Sequence, residues 1–318
     1  MGARLANAVS LWNLISALTL RGIVFVSTVL GAAFLIQVLL WAAPGDPIDL
    51  IPNSAEIRPQ LEAEWGLDKP LPERFFHTIQ QGWNGTSLSV RPGERVENII
   101  KPALWRSGKL LLAAWLLLVS MALWMARTRR PAVSRLARLL SVTPVFLLAY
   151  LLVMGINDGT YALVQDRLIE RPDWFALPLQ ESIFKTILAI FILSIASGSL
   201  SNLQTGIENE ILRIRQSSFV EAARARGMPT TPHIIKNLIP PLTILSTNCL
   251  TFAIGGLIIL EKVLLLNGAG SLMWDACLKR DYPVAMGLAM AAALVICLAR
   301  FAGDVIRIGV DPRLRSPK

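Results

Sequence analysis

Charge is scarce in this chain. Only 17% of its 318 residues are Asp, Glu, Lys or Arg, while 53% are hydrophobic and the mean hydropathy is +0.53. Soluble domains carry about a quarter charged residues, so a soluble globular class is excluded and a membrane protein is implied. Histidine is almost absent: His77 and His233 stand alone, which excludes a histidine-rich metal site. Cysteine is limited to Cys249, Cys277 and Cys297, with no pairing or metal-ligand spacing, so these read as small apolar side chains. Catalytic signatures are missing as well. There is no GxSxG, no HExxH and no histidine pair, so nothing poses as a catalytic constellation. A GxxxxGK(S/T) phosphate loop is also lacking; RSGKLL from Arg106 has neither the upstream glycine nor the hydroxyl, and the chain therefore carries no ATP motor. No basic stripe is interleaved with aromatics, which argues against nucleic acid as a partner.

What is abundant is uninterrupted hydrocarbon. Six runs approach the roughly 20 residues needed to cross a bilayer: 22–43, 108–126, 139–156, 182–201, 239–266 and 284–308. The first, GIVFVSTVLGAAFLIQVLLWAA, has no charge and is too long for the core of a signal peptide. Ahead of it, residues 1–21 place Asn7, Ser10, Asn13 and Ser16 on one side and Leu5, Val9, Trp12 and Ile15 near the other, which predicts an interfacial helix. The fourth run contains Lys185, whose ammonium can snorkel to the interface. Residues 22–318 thus read as one all-α transmembrane domain in a lipid bilayer.

Loop charge orients the bundle. ARTRRPAVSRLARL after the second run carries Arg127, Arg129, Arg130, Arg135 and Arg138 without an acid. The link between the fourth and fifth runs carries Arg213, Arg215, Arg224, Arg226 and Lys236, and the tail carries Arg313, Arg315 and Lys318. Basic loops stay cytoplasmic, so these three lie on one side and both termini are expected inside. The outer loop, about 44–104, is acidic early on, with Asp46, Asp49, Glu56, Glu62, Glu64 and Asp68. Within it, Pro44 and Pro47 stop the first span, Ser54 can cap a helix running to Gly66, and a second short helix follows Pro72.

One cytoplasmic stretch is built differently from the rest. In SSFVEAARARGMPTTPHIIKNLIPPL, residues 217–242, Ser217 or Ser218 can cap a short helix, and Gly227 permits a turn. Thr231 and Pro232 then start a second short helix that Pro240 and Pro241 hand over to the fifth span. The pattern predicts an angled helix pair exposing Ala222, Ala223 and Ala225, with Glu221 available to fix register.

Glu221-Ala222-Ala223, Ala225, Gly227 six residues after the glutamate, and Ile239-Pro240 twelve and thirteen after the glycine together resemble the EAA loop of ABC importer permeases. The resemblance implies that the loop, about 202–238, forms a coupling helix that docks on a cytoplasmic ATPase. PGDP at Pro44, WGLDKPLPERF at Trp65, GTSLSV at Gly85, EKVLLLNGAGSLMWDACLKRDYPV at Glu261 and DPRLR at Asp311 are similar to the first permease of the oligopeptide, dipeptide and nickel branch. That branch implies a type I importer fold in the bacterial inner membrane. Its partners would be a second homologous permease, two ATPase subunits holding ATP and Mg, and an extracytoplasmic solute-binding protein. No cofactor is expected on this chain.

The rival class is a secondary transporter or channel. Such a protein would hide ionisable groups near the midplane and often show inverted repeats, and neither is evident. Glu261 matches a family glutamate and is a candidate pathway or gate residue, although Glu261 and Lys262 can also snorkel. Arg300 and Asp304, one turn apart near the inner end of the last span, read as a local pair.

Overall fold

The computed structural model describes residues 2–42, 48, 58–59, 62–63, 66, 69–84, 94–128, 131–166, 183–196 and 198–310. Its elements are helices. The expected helix from Ser54 to Gly66, the PGDP and GTSLSV stretches and the basic tail lie wholly or largely outside the described residues.

Helix α1 spans Gly2–Ala42 without interruption. At 1.5 Å per residue it is about 60 Å long, twice the hydrocarbon thickness of a bilayer. The residues expected to form an interfacial segment are helical and run on into the first span, whose apolar stretch is Leu18–Leu39, because nothing near Arg21-Gly22 breaks the backbone hydrogen bonding. Helix α2, Leu71–Asn84, is the amphipathic helix expected after Pro72. Helix α3, Val96–Thr128, extends the second span by about three turns toward its N-terminus, and it is the most enclosed of the long helices.

The third span departs from expectation. Residues 131–142 form a separate amphipathic helix, α4 (Pro131–Val142), and the span itself is α5, Val145–Gln165. Pro144 causes the break: it has no N–H to donate and it disfavours helical backbone at Thr143. The fourth span is broken as well. Helix α6, Ile183–Ile195, and helix α7, Ser199–Arg215, meet at 47°, with Gly198 in the left-handed region at φ +78°. Much of the expected coupling loop is thus helical in α7, which packs on α3 and on the fifth span.

The remaining elements are α8 (Ser218–Ala225), α9 (Thr231–Val263), α10 (Ala269–Leu278) and α11 (Tyr282–Val310). Helices α1, α3, α5, α9 and α11 are each long and apolar enough to cross a membrane, and α6 with α7 makes a sixth span if taken together. Helix α1 lies mainly along α11, where Phe25 meets Phe301 with ring centroids 5.5 Å apart. Asp304 pairs with Arg307 at 3.3 Å and with Arg21 of α1 at 3.9 Å. It does not form the expected pair with Arg300. The tie runs between spans, where it fixes α1 against α11.

Two apolar clusters stack along α3. One joins Leu110 and Ala114 to Ala149, Ile192 and Leu260; the other joins Leu118 and Ala122 to Leu203, Ile207, Val220 and Leu238. A third gathers Val96, Ile100, Ala276, Val284 and Leu288 around α10.

Candidate functional site

Helix α8 stands at one end of the bundle. Ser217 occupies its N-cap position, as the sequence predicts, but its hydroxyl donates to the Ile214 carbonyl at 2.5 Å and makes no cap bond. The C-terminus closes in a Schellman turn. Met228 N–H donates to the Ala223 carbonyl at 2.9 Å and Gly227 N–H to that of Arg224 at 3.0 Å, with Gly227 left-handed at φ +71°. A Cβ at Gly227 would meet nothing within 4 Å, so its glycine is required by φ and not by space.

The structure brings Glu221, Ala222, Ala225 and Gly227 together on exposed surface. Ala223 is a correction: it is buried and faces the bundle, because it lies one turn beyond Val220, which anchors α8 with no exposed surface at all. Burying such a valine contributes about 1.5–3 kcal/mol. Ile239 and Pro240 are half-buried in α9, whereas Glu221 is exposed on α8. Three apolar residues that the motif does not include, Phe219, Met228 and Ile235, are exposed in the same link. Sequence alone does not single them out, because the same link holds the apolar Val220 and Leu238, which are buried.

The second short helix expected after Thr231 is the first part of α9, which continues through Pro240 and Pro241 to Val263. The prolines remove the N–H groups that would bond the carbonyls of Lys236 and Asn237. Both of those residues are exposed, so water can satisfy what the prolines leave. The result is one rod of about 50 Å, joined at its start to α8.

At the far end of that rod, Glu261 is 1% exposed. It does not snorkel. One carboxylate oxygen accepts from Gly270 N–H at 2.7 Å and Ser271 N–H at 3.1 Å; the other accepts from the Ser107 hydroxyl at 2.5 Å. Ser107 in turn accepts from Ala269 N–H at 2.7 Å, and Gly268 N–H donates to the Ser271 hydroxyl at 3.1 Å. Every otherwise unpaired donor at the start of α10 is thereby satisfied, and the carboxylate sits where the helix dipole favours negative charge. A Cβ on Gly268 would overlap that carboxylate, and one on Gly270 would stand 2.5 Å from Ile258 Cα. Lys262, which stays part-exposed, pairs with Asp275 of α10 at 2.6 Å. The exposed thiol of Cys277 on α10 has its pKa raised by partial burial, so nothing activates it.

Between α3, α9 and α11 runs a groove of about 430 Å³. It extends from Thr243, Gly303 and Ile306 to Ser107, and Ala269, Gly270 and Met273 of α10 stand across its end. Its walls are apolar, with few hydroxyls. Among the described residues there is no cluster of His, Cys, Asp and Glu that could hold a metal ion.

Long apolar helices that can each cross a bilayer, packed around a common core, define a multi-pass membrane protein. The family described as binding-protein-dependent transport system inner membrane component matches residues 115–316, more than half of the chain, and the protein belongs to that family. It is similar to the oligopeptide transport system permease protein AppB of Bacillus subtilis, 25% identical over 92% of this chain and 97% of AppB. It is also similar to the glutathione transport system permease protein GsiC of Salmonella typhimurium, 28% identical over 91% of this chain and 95% of GsiC. The chain is accordingly a multi-pass inner-membrane permease subunit of an ABC importer in the peptide branch. It is not itself an enzyme, and ATP hydrolysis lies on separate subunits. Nothing supports the secondary-transporter alternative.

Proposed function

We propose that α8 is the coupling helix of this permease and that α9 carries its movement across the bilayer. The observation that carries the reading is the mechanical continuity of α8, its Schellman turn and α9, with Val220 fixing α8 in the inner core and Glu221 and Phe219 left exposed. Glu221, Ala222, Ala225 and Gly227, flanked by Phe219, Met228 and Ile235, would contact a cytoplasmic ATPase. Ala223 would act from beneath as the small residue that lets α8 lie close to the bundle, and Ile239 and Pro240 would form the neck between contact and span.

On this reading the basic links and both termini are cytoplasmic, and the residues of α1 before Leu18 project inward. A second homologous permease completes the pore, two ATPase subunits hold ATP and Mg, and a solute-binding protein delivers cargo from outside. The relatives named for oligopeptide and glutathione transport make peptides the favoured cargo class, with a small solute such as nickel as the branch alternative. Closure of the ATPase pair would shift α8, and the shift would travel along α9 toward Glu261.

The test is Glu221→Lys in the assembled importer. It reverses one exposed charge outside the bilayer, so insertion and membrane level should stay normal. ATPase recovery with the permease, or hydrolysis stimulated by loaded binding protein, should fall at least tenfold. Wild-type transport and stimulation in this variant would show that the stretch is an ordinary loop.

A further inference from the structure

We infer that Glu261 and Ser107 are positioning residues that seat α10 as the outer gate of the groove between α3, α9 and α11; the gating direction rests on the coupling role given to α8. Three independent features support this. The first is placement: Ala269, Gly270 and Met273 line the groove where it ends, so α10 lies across that mouth. The second is the clasp. Glu261 is on α9 and Ser107 on α3, yet together they hold the N–H groups of Ala269, Gly270 and Ser271. Any sliding of α9 against α3 therefore stretches the bond between Ser107 and Glu261 and divides the set of acceptors on which α10 is seated.

The third feature is the pair of turns on either side. Leu265, at φ +54°, and Arg280, at φ +52°, are the described non-glycine residues with left-handed backbone, and they bracket α10. Each sits in a Schellman turn, with Leu266 N–H donating to the Glu261 carbonyl and Asp281 N–H to that of Ala276, both at 2.8 Å. Side chains resist this backbone region, so each turn is held there by its surroundings, and these are the two points about which α10 would move on this reading. The outward side of α10, with Trp274 and Leu278, is exposed, while its inward residue Ala276 packs against Leu288. A buried carboxylate that only lined a substrate path would present oxygens to the groove. Here one is occupied by two N–H groups of α10 and the other by the Ser107 hydroxyl that itself holds α10.

The experiment uses the assembled importer in membranes, with Cys249, Cys277 and Cys297 replaced by serine or alanine and Leu288→Cys as reporter. Leu288 lines the groove and is 3% exposed beneath α10. An impermeant maleimide is added on the side that carries α2. With Glu261 intact, labelling should be slow and should rise when the ATPase pair is trapped closed. In Glu261→Ala it should be at least tenfold faster and indifferent to nucleotide; Ser107→Ala and Glu261→Gln should be about threefold faster with part of the nucleotide response retained. If Glu261→Ala does not accumulate, the two milder variants decide the matter in the same way. Labelling within twofold of the parent, with the nucleotide response unchanged, would overturn the gate assignment. Failure of the coupling reading is distinguishable: Glu221→Lys would then transport normally, while the Glu261 variants would still unmask the reporter.

Discussion

The turns that precede and follow α9 are of the same kind and built from opposite materials. Where α8 meets α9, the left-handed position is Gly227, exposed, with open space around it. Where α9 meets α10, the left-handed position is Leu265, held between the buried residues Leu264 and Leu266. A left-handed leucine costs about 1–2 kcal/mol. Burying two neighbouring leucines contributes about 1.5–3 kcal/mol each, so packing wins and the turn stands without glycine. One end of the rod is therefore shaped by backbone freedom and left exposed, whereas the other is shaped by its neighbours and closed on itself. Substitutions should hurt in different ways at each: function without stability at the first, stability together with function at the second.

The largest effect should come from the closed end. In Gly270→Val the new Cβ would stand 2.5 Å from the Ile258 backbone, which cannot swing aside as a side chain can. Overpacking costs about 1–3 kcal/mol where side chains yield, and this contact should reach or exceed that range. The expected result is low membrane abundance and a markedly lower melting midpoint in detergent. A midpoint equal to wild type would mean that α9 and α10 do not approach as closely as the clasp requires.

An intermediate effect is expected at the open end. Gly227→Val forces a β-branched side chain into φ +71°, a strain of about 1–3 kcal/mol, but meets no neighbour. Asn tolerates this backbone, so Gly227→Asn should recover most of the lost transport. Both variants should insert at normal levels. If Gly227→Asn fails as badly as Gly227→Val in transport and ATPase recovery, the position is read by a partner surface and not by its own backbone.

The sequence disclosed these two ends unequally, for physical reasons. Gly227 six residues after Glu221, inside a basic link, is a local pattern, and local patterns survive as one-dimensional signals. Broken spans were less legible because hydropathy averages over a window: Pro144 was visible but was read as part of one apolar run, and so was Gly198. The passage of α9 through Pro240 and Pro241 depended on whether water could reach the freed carbonyls, which only the fold decides. Ala223 was placed on the wrong face because Val220, one turn away, gives no hint in sequence that it is fully enclosed. The Glu261 clasp was the least legible element. Its partners are Ser107, 154 residues away, and two backbone N–H groups that carry no residue identity.

The smallest effect should separate the two charged residues that adjoin in sequence at the closed end. Glu261 is enclosed and accepts three hydrogen bonds, whereas the side chains of Lys262 and Asp275 retain 39% and 42% of their exposure. Their 2.6 Å contact is good geometry, yet ion pairs that water can reach are worth only about 0–1 kcal/mol once screening and side-chain ordering are counted. A double-mutant cycle with Lys262→Ala and Asp275→Ala should therefore give near-additive shifts in the melting midpoint, with a coupling below about 1 kcal/mol. Leu288→Cys labelling should stay within twofold of the parent in all three variants, because the acceptors for the α10 N–H groups remain in place. A coupling above about 2 kcal/mol would place the pair in a site that excludes water. The seat of α10 would then depend on two charged contacts, and the contrast between its buried clasp and its exposed edge would be lost.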